Sequence, residues 1–245
     1  MYLEPPFALA AGFLFFGATP RSKLIGLVWL AFVGAALMVT FSKGAYVALF
    51  AFILVAVLTV PRWRLPLLGA LVIAAAIASQ ISLVYQRLVT VIPSFQGREQ
   101  IFGATVDMIR AHPLFGVGLG GFTYQFRGVT PEIYPHDMWL TFWVEIGLLG
   151  VVAFAVIFLM LQWKGWRAWP SAPTADRAAI WGVLGGLVLW LVHGLVDSPY
   201  WKNDMSVEFW FGAALLLATL RGIQKSSGPV EGEKPAATGE VVGSG

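Results

Sequence analysis

The chain has 245 residues, 58% of them hydrophobic and 12% charged, with a formal net charge of +3 and a mean hydropathy of +0.76. A single soluble core of this length cannot hide so much apolar surface, and several runs reach the roughly 18–20 apolar residues that cross a bilayer as helix. The basic residues are scattered over inter-helix loops, which argues against a nucleic-acid partner. The absence of cysteine removes disulfides, a thiolate nucleophile and cysteine metal ligands.

In chain order, residues 5–19 form a short apolar run, bare in length for a span, and Glu4 stands where a secretory signal would carry basic residues. Residues 24–41 and 45–60 are the second and third apolar runs, separated by Thr40-Phe41-Ser42-Lys43-Gly44. The basic turn Pro61-Arg62-Trp63-Arg64 leads to a fourth run over 65–84, and further runs cover 138–162, 178–196 and 207–220. The expectation is an all-α, polytopic transmembrane helical bundle of about six to seven spans. Its membrane domain is 1–222, with a large external loop at about 85–137 and a disordered cytoplasmic tail over 223–245, where Gly, Pro, Ser, Glu and Lys replace apolar periodicity.

Loop charge sets the orientation. Arg21 and Lys23, Arg62 and Arg64, Lys164, Arg167 and Arg177, then Arg221 and Lys225 mark alternate helix ends and read as cytoplasmic. The Ser42-Lys43 turn, the long loop and the Asp197–Asp204 turn, with Tyr200 and Trp201 as aromatic anchors, then share the outer face. Seven spans with an external N-terminus read as the C-terminal part of a longer protein, unless the weak first run is not a span.

The long loop holds most of the candidate chemistry. Residues 98–111 place Ile101, Phe102, Thr105, Met108 and Ile109 on one helical face, so an amphipathic helix lying across the outer surface is expected, stopped by Pro113. Gly116-x-Gly118-x-x-Gly121 matches a dinucleotide fingerprint only formally, since no strand precedes it and no βαβ unit surrounds it. It reads as a tight turn that lets backbone pack closely.

Arg98 and Arg110 lie on the outer side, against the positive-inside preference. Each is either a solvated loop charge or part of an anion site, for which the guanidinium fork suits phosphate oxygens. Lys43 is either a snorkelling lysine or a third cation facing the same ligand. His136 stands at the outer interface, where imidazole can take a proton from a hydroxyl nucleophile near neutral pH. Asp137 orients it or, as favoured here, caps the following helix. Glu145, about two turns into the fifth run, is a structural or functional candidate because a carboxylate at that depth needs a partner. His193 and Asp197, four apart near the outer end of the sixth run, read as a structural polar pair between helices. No metal-ligand spacing stands out.

The ordered set Phe41-Ser42-Lys43-Gly44-Ala45, Gly97-Arg98, His112-Pro113-Leu114-Phe115-Gly116-Val117-Gly118-Leu119-Gly120, His136-Asp137-x-x-Leu140, Glu145-x-Gly147-Leu148-Leu149-Gly150 and His193-Gly194-Leu195-Val196-Asp197 resembles the O-antigen ligase and polymerase family over about residues 35–215. The resemblance implies a metal-independent, inverting glycosyltransferase without cofactor in the bacterial inner membrane. It would move a glycan from undecaprenyl diphosphate to an acceptor hydroxyl of lipid A–core, a growing polysaccharide or a protein on the periplasmic face. It implies diphosphate contacts by Lys43 and Arg98, more weakly by Arg110, and activation of the acceptor hydroxyl by His136. The family commonly has Ser-Arg where Ser42-Lys43 stands and His-Asn where His136-Asp137 stands. The chain is also shorter than typical members. Competing expectations are an anion or solute transporter, which calls for ionisable groups at mid-membrane, and a non-catalytic truncated family member.

Overall fold

The computed structural model describes residues 1–80, 86, 98–122, 134–198 and 203–226. Gly97, much of the expected external loop, the Tyr200–Lys202 aromatic turn and the tail beyond Ser226 lie outside the described residues. Within them the chain is all-α: α1 (Glu4–Phe16), α2 (Pro20–Val39), α3 (Lys43–Thr59), α4 (Arg64–Gln80), α5 (Glu99–Ala111), α6 (Met138–Ala168), α7 (Thr174–His193) and α8 (Asn203–Ser226). The expected polytopic helical bundle is therefore found. Among the described residues four helices are long and apolar enough to cross a membrane, or five if the pair Lys43–Thr59 and Pro61–Ile73, bent by 118°, counts as one span. That is fewer than the six to seven expected. At 17 residues each, α3 and α4 extend only about 25 Å at helical rise.

Local sequence explains the helix starts. Thr19 and Ser22 form a reciprocal capping box at α2, and Ser42 Oγ accepts from the Ala45 amide at α3. α7 is the central helix, buried along most of its length. α1 runs antiparallel to it at a backbone distance only small residues allow: a methyl on Gly12 would stand 2.3 Å from the Ala178 carbonyl oxygen, and one on Gly182 2.7 Å from the Leu9 Cα. At the far end of this pair, Phe15, Phe16, Trp63, Trp169 and Trp181 form an aromatic cluster with ring centroids 5.1–5.6 Å apart. Arg62 donates there to the Phe15 carbonyl, and Arg177 to those of Ala172 and Pro170. The basic residues assigned from sequence to the cytoplasmic side thus gather at one end of the bundle.

α6 departs from the straight fifth span that the sequence suggests. Its 31 residues are broken at Gly147, where φ is 70° and ψ is −178°, a region open essentially to glycine alone. Trp139 and Phe154 would lie about 22 Å apart along a straight helix, yet their ring centroids are 5.8 Å apart, and those of Phe142 and Phe154 are 4.8 Å apart. The helix therefore folds back sharply. Residues 148–168, about 31 Å long by helical rise, match the 20-residue α7, and residues 138–146 form an upper limb.

The segment after α5 fills the break. The amides of Val117 and Gly118 donate to the carbonyls of Val144 and Glu145, and the amides of Leu148 and Leu149 donate to those of Pro113 and Leu114. Backbone groups that the break would strand are thus satisfied by a loop. Gly116 (φ 69°) has no room for a methyl, which would lie 2.5 Å from the Glu145 carbonyl oxygen. Glu145, buried in the upper limb, accepts from the Gly120 amide at 3.0 Å. It stitches this loop in place rather than sitting two turns down a continuous span. α5 packs alongside the upper limb through Ile101, Ile109 and Val144, and Ile101, Thr105 and Ile109 of the expected face are buried.

Candidate functional site

The C-terminal turn of α7, residues 193–197, is where the ends of several helices meet. His193 Nδ1 and Glu4 Oε1, in the first turn of α1, share a buried hydrogen bond of 2.5 Å. The other side of the same ring faces the start of α3: a methyl on Gly44 would stand 2.5 Å from His193 Nε2 and 2.8 Å from Val196 Cγ2. The Met138 amide, first in α6, donates to the Gly194 carbonyl at 2.7 Å. Arg98, the N-cap residue of α5, donates from Nη1 to the Val196 carbonyl at 2.7 Å and to the His136 carbonyl at 3.3 Å. Of the residues singled out from the sequence, Arg98 and His136 are thus tied to one five-residue turn, and Lys43 precedes Gly44, which packs against it.

Two of these anchors share a local design. Phe41 (φ 50°) and His136 (φ 54°) are the non-glycine residues with positive φ among the described residues. Each is followed by a residue that caps a helix: Ser42 before α3, and Asp137, whose Oδ1 accepts from the Leu140 amide at 2.8 Å. The expected capping role of Asp137 is what the geometry contains. A left-handed backbone outside glycine costs about 1–2 kcal/mol and is retained only where surrounding contacts over-determine it. At His136 those contacts are the Arg98 bond to its carbonyl, the Tyr134 ring edge-on at 4.7 Å, and Asp197 Oδ1 at 3.9 Å from Nδ1.

The turn gathers charges of both signs, Lys43 and Arg98 on one side and Glu4, Asp137 and Asp197 on the other. The first turns of α1, α3, α5 and α6 all abut it, and helix N-termini carry partial positive charge, to which Lys43 and Arg98 add whole charges. Burial pushes the Asp137 carboxyl above its ordinary 3.8, against the opposing pull of the Leu140 and Trp139 amides and the Arg98 guanidinium.

Arg110 stands apart. It lies at the other end of α5, about 18 Å from Arg98 by helical rise, paired with Asp107 at 3.3 Å with both side chains 76% exposed. His193 and Asp197 do pair across elements, but with separate partners, Glu4 and His136. Sequence reasoning missed Glu4, although a carboxylate at the mouth of an apolar run is a signal that a partner exists. It also missed Tyr134 and the Thr141–Ser198 hydroxyl pair, 2.7 Å apart, which joins the upper limb to the residue after Asp197. No group of three His, Cys, Asp or Glu side chains with metal-holding geometry occurs among the described residues.

The fold defines a helical membrane bundle in which several helix N-termini, two cations and a partly exposed histidine stand at one end. The family model for O-antigen ligase matches residues 25–155, more than half of the chain, and the chain belongs to that family. The matched stretch contains Lys43, Arg98, Arg110, His136 and Glu145, and stops short of the 193–197 turn. No curated protein matches the chain.

Proposed function

We propose that the protein transfers a glycan from undecaprenyl diphosphate to an acceptor hydroxyl at the periplasmic face of the bacterial inner membrane, without a metal ion and with inversion at the anomeric carbon. The acceptor is lipid A–core, a growing polysaccharide or a protein. The observation that supports this reading above others is the meeting of Arg98, His136 and the start of α3, which carries Lys43, at the 193–197 turn.

In this mechanism His136 takes the proton of the acceptor hydroxyl as the oxygen bonds to the anomeric carbon. The anomeric C–O bond to the diphosphate breaks, and its electron pair leaves with undecaprenyl diphosphate. Charge grows on the leaving group, and fixed cations that are already in place stabilise it without reorganisation. Arg98 is held in that way by two carbonyls; Lys43 acts as a point charge at the start of α3. The Asp197 carboxylate near His136 Nδ1 stabilises the imidazolium that forms.

The test is glycan transfer in cells that depend on this chain, with His136→Ala, Arg98→Ala or Lys43→Ala, read as lipid-linked and acceptor-linked glycan beside the membrane level of each variant. The expected result is normal insertion, accumulation of lipid-linked glycan and loss of the transferred product. Variants that insert and transfer as the parent does would overturn the assignment and turn attention to transport, checked by solute flux in proteoliposomes.

A further inference from the structure

The loop that fills the break in α6 carries side chains that neither the fold nor the proposed chemistry uses. Its backbone is fixed by the four hydrogen bonds to residues 144–149 and by Glu145, yet Leu114, Phe115 and Leu119 point outward, Phe115 75% and Leu119 83% exposed. A polar loop on a soluble surface does not hold three large apolar side chains in water on a rigid frame.

Their position says what covers them. On the lower limb of α6, Leu149, Val152, Val156, Leu159, Met160 and Trp163 are exposed at helical spacing and form one apolar stripe along a membrane-spanning element. The Leu149 amide bonds to the Leu114 carbonyl, so Leu114 and Phe115 stand at the top of that stripe and continue it. Trp143, half-exposed on the upper limb, donates its indole N–H to the Pro113 carbonyl at 3.1 Å, the amphipathic placement favoured at a membrane boundary. Arg110 and His112, exposed just before the loop, add the polar and cationic groups that suit lipid phosphates.

We propose that residues 114–119 form an apolar wedge seated in the outer leaflet of the bilayer, with Arg110 at the headgroup level. The wedge fixes the height of the upper limb and α5, and hence of the candidate site, relative to the lipid surface. The inference stands on exposure and backbone geometry and is independent of which reaction the site performs.

The lack of cysteine makes the test direct. Phe115→Cys, Leu119→Cys and, as a water-exposed control on α5, Gln100→Cys are each labelled with an environment-sensitive fluorophore. The full chain is then reconstituted in vesicles of phosphatidylethanolamine and phosphatidylglycerol containing lipids brominated at defined depths. Size-exclusion profiles confirm that each labelled protein is folded. The expected result is blue-shifted emission at 115 and 119 that is lost to shallow brominated lipid, with no loss at 100. Labels at 115 and 119 that report water, as at 100, overturn the proposal. So do labels that are blue-shifted but not quenched by any lipid, since the loop is then covered by protein.

Discussion

Arg98 and Val196 are 98 residues apart in sequence and are joined at 2.7 Å, guanidinium to carbonyl. The same Nη1 reaches the His136 carbonyl, so one side chain ties the end of α7 to the residue in front of α6. Removing it therefore affects the placement of His136 as well as the cationic charge. Arg98→Lys keeps the charge but ends one atom short of the Nη1 that bonds both carbonyls and lacks the fixed planar geometry of the guanidinium. A charge-assisted hydrogen bond is worth about 1.5–3 kcal/mol, so transfer by Arg98→Lys is expected to fall by roughly 10–150-fold, and by Arg98→Ala further. Transfer rates in reconstituted membranes check the order; equal rates for parent and lysine variant would show that the bridge is dispensable.

Gly44 and His193 form a tight contact that a double-mutant cycle can read. Gly44→Ala drives a methyl against His193 Nε2 and displaces the start of α3, weakening donor binding more than overall stability. His193→Ala makes room but leaves Glu4, which is fully buried, with the N-terminal ammonium at 3.7 Å in place of its short imidazole bond. The two substitutions together are expected to cost less than the sum of each alone, with a coupling of about 0.5–3 kcal/mol. Additive effects on the KM for donor would mean the contact does not position Lys43.

Asp137 gives a pH signature. Its folded carboxyl is raised above 3.8 by burial, so the folded state holds the proton more tightly than the unfolded chain. That contribution to stability is fully present below 3.8 and is lost as pH rises through the raised value. Asp137→Asn retains a good helix cap and removes the titration. The variant is expected to match the parent in acid and to exceed it in thermal stability as pH rises through that window, whereas Asp137→Ala, which also lacks the cap, lies about 1 kcal/mol below the asparagine variant at every pH. Melting curves in detergent across pH 3 to 7 would decide; parallel curves for parent and asparagine variant count against the shift.

A glycine series separates strain from space. Gly147→Ala and Gly116→Ala combine positive φ with a methyl 2.1 Å and 2.5 Å from backbone, and both are expected to unfold the stitched loop. Gly118→Ala, at φ 93° with open space around it, carries only the backbone cost of about 1–2 kcal/mol. Gly103→Ala, inside α5 with nothing within 4 Å, is expected to stabilise by about 1 kcal/mol. Any other ranking in thermal unfolding contradicts the geometry of the break.

The sequence made the bundle legible because membrane helices announce themselves by composition, and an ordered set of motifs singled out Lys43, Arg98 and His136 as candidates. What it hid follows from one cause: partners that lie far apart in the chain. The Glu4–His193 pair spans 189 residues, and no local pattern links them. The motifs around Gly116 and Gly147 are each visible, but not that one supplies the hydrogen bonds the other lacks. Without that link α6 reads as a straight span, and Glu145 as a carboxylate deep in the membrane. Arg98 and Arg110 look alike in sequence as basic residues of the outer loop, but 12 residues of helical rise separate them.

Four helices begin where α7 ends. With about half a positive charge at each start and half a negative charge at the one finish, the peptide dipoles alone amount to about +1.5 charges around residues 193–197. These partial charges have no proton to lose. The attraction they add for the proposed diphosphate donor is therefore insensitive to acidity. On the proposed function, the KM for donor should stay nearly flat as the medium is acidified. A KM that rises steeply in acid would show that side-chain titration, not the backbone, governs how the anion is held.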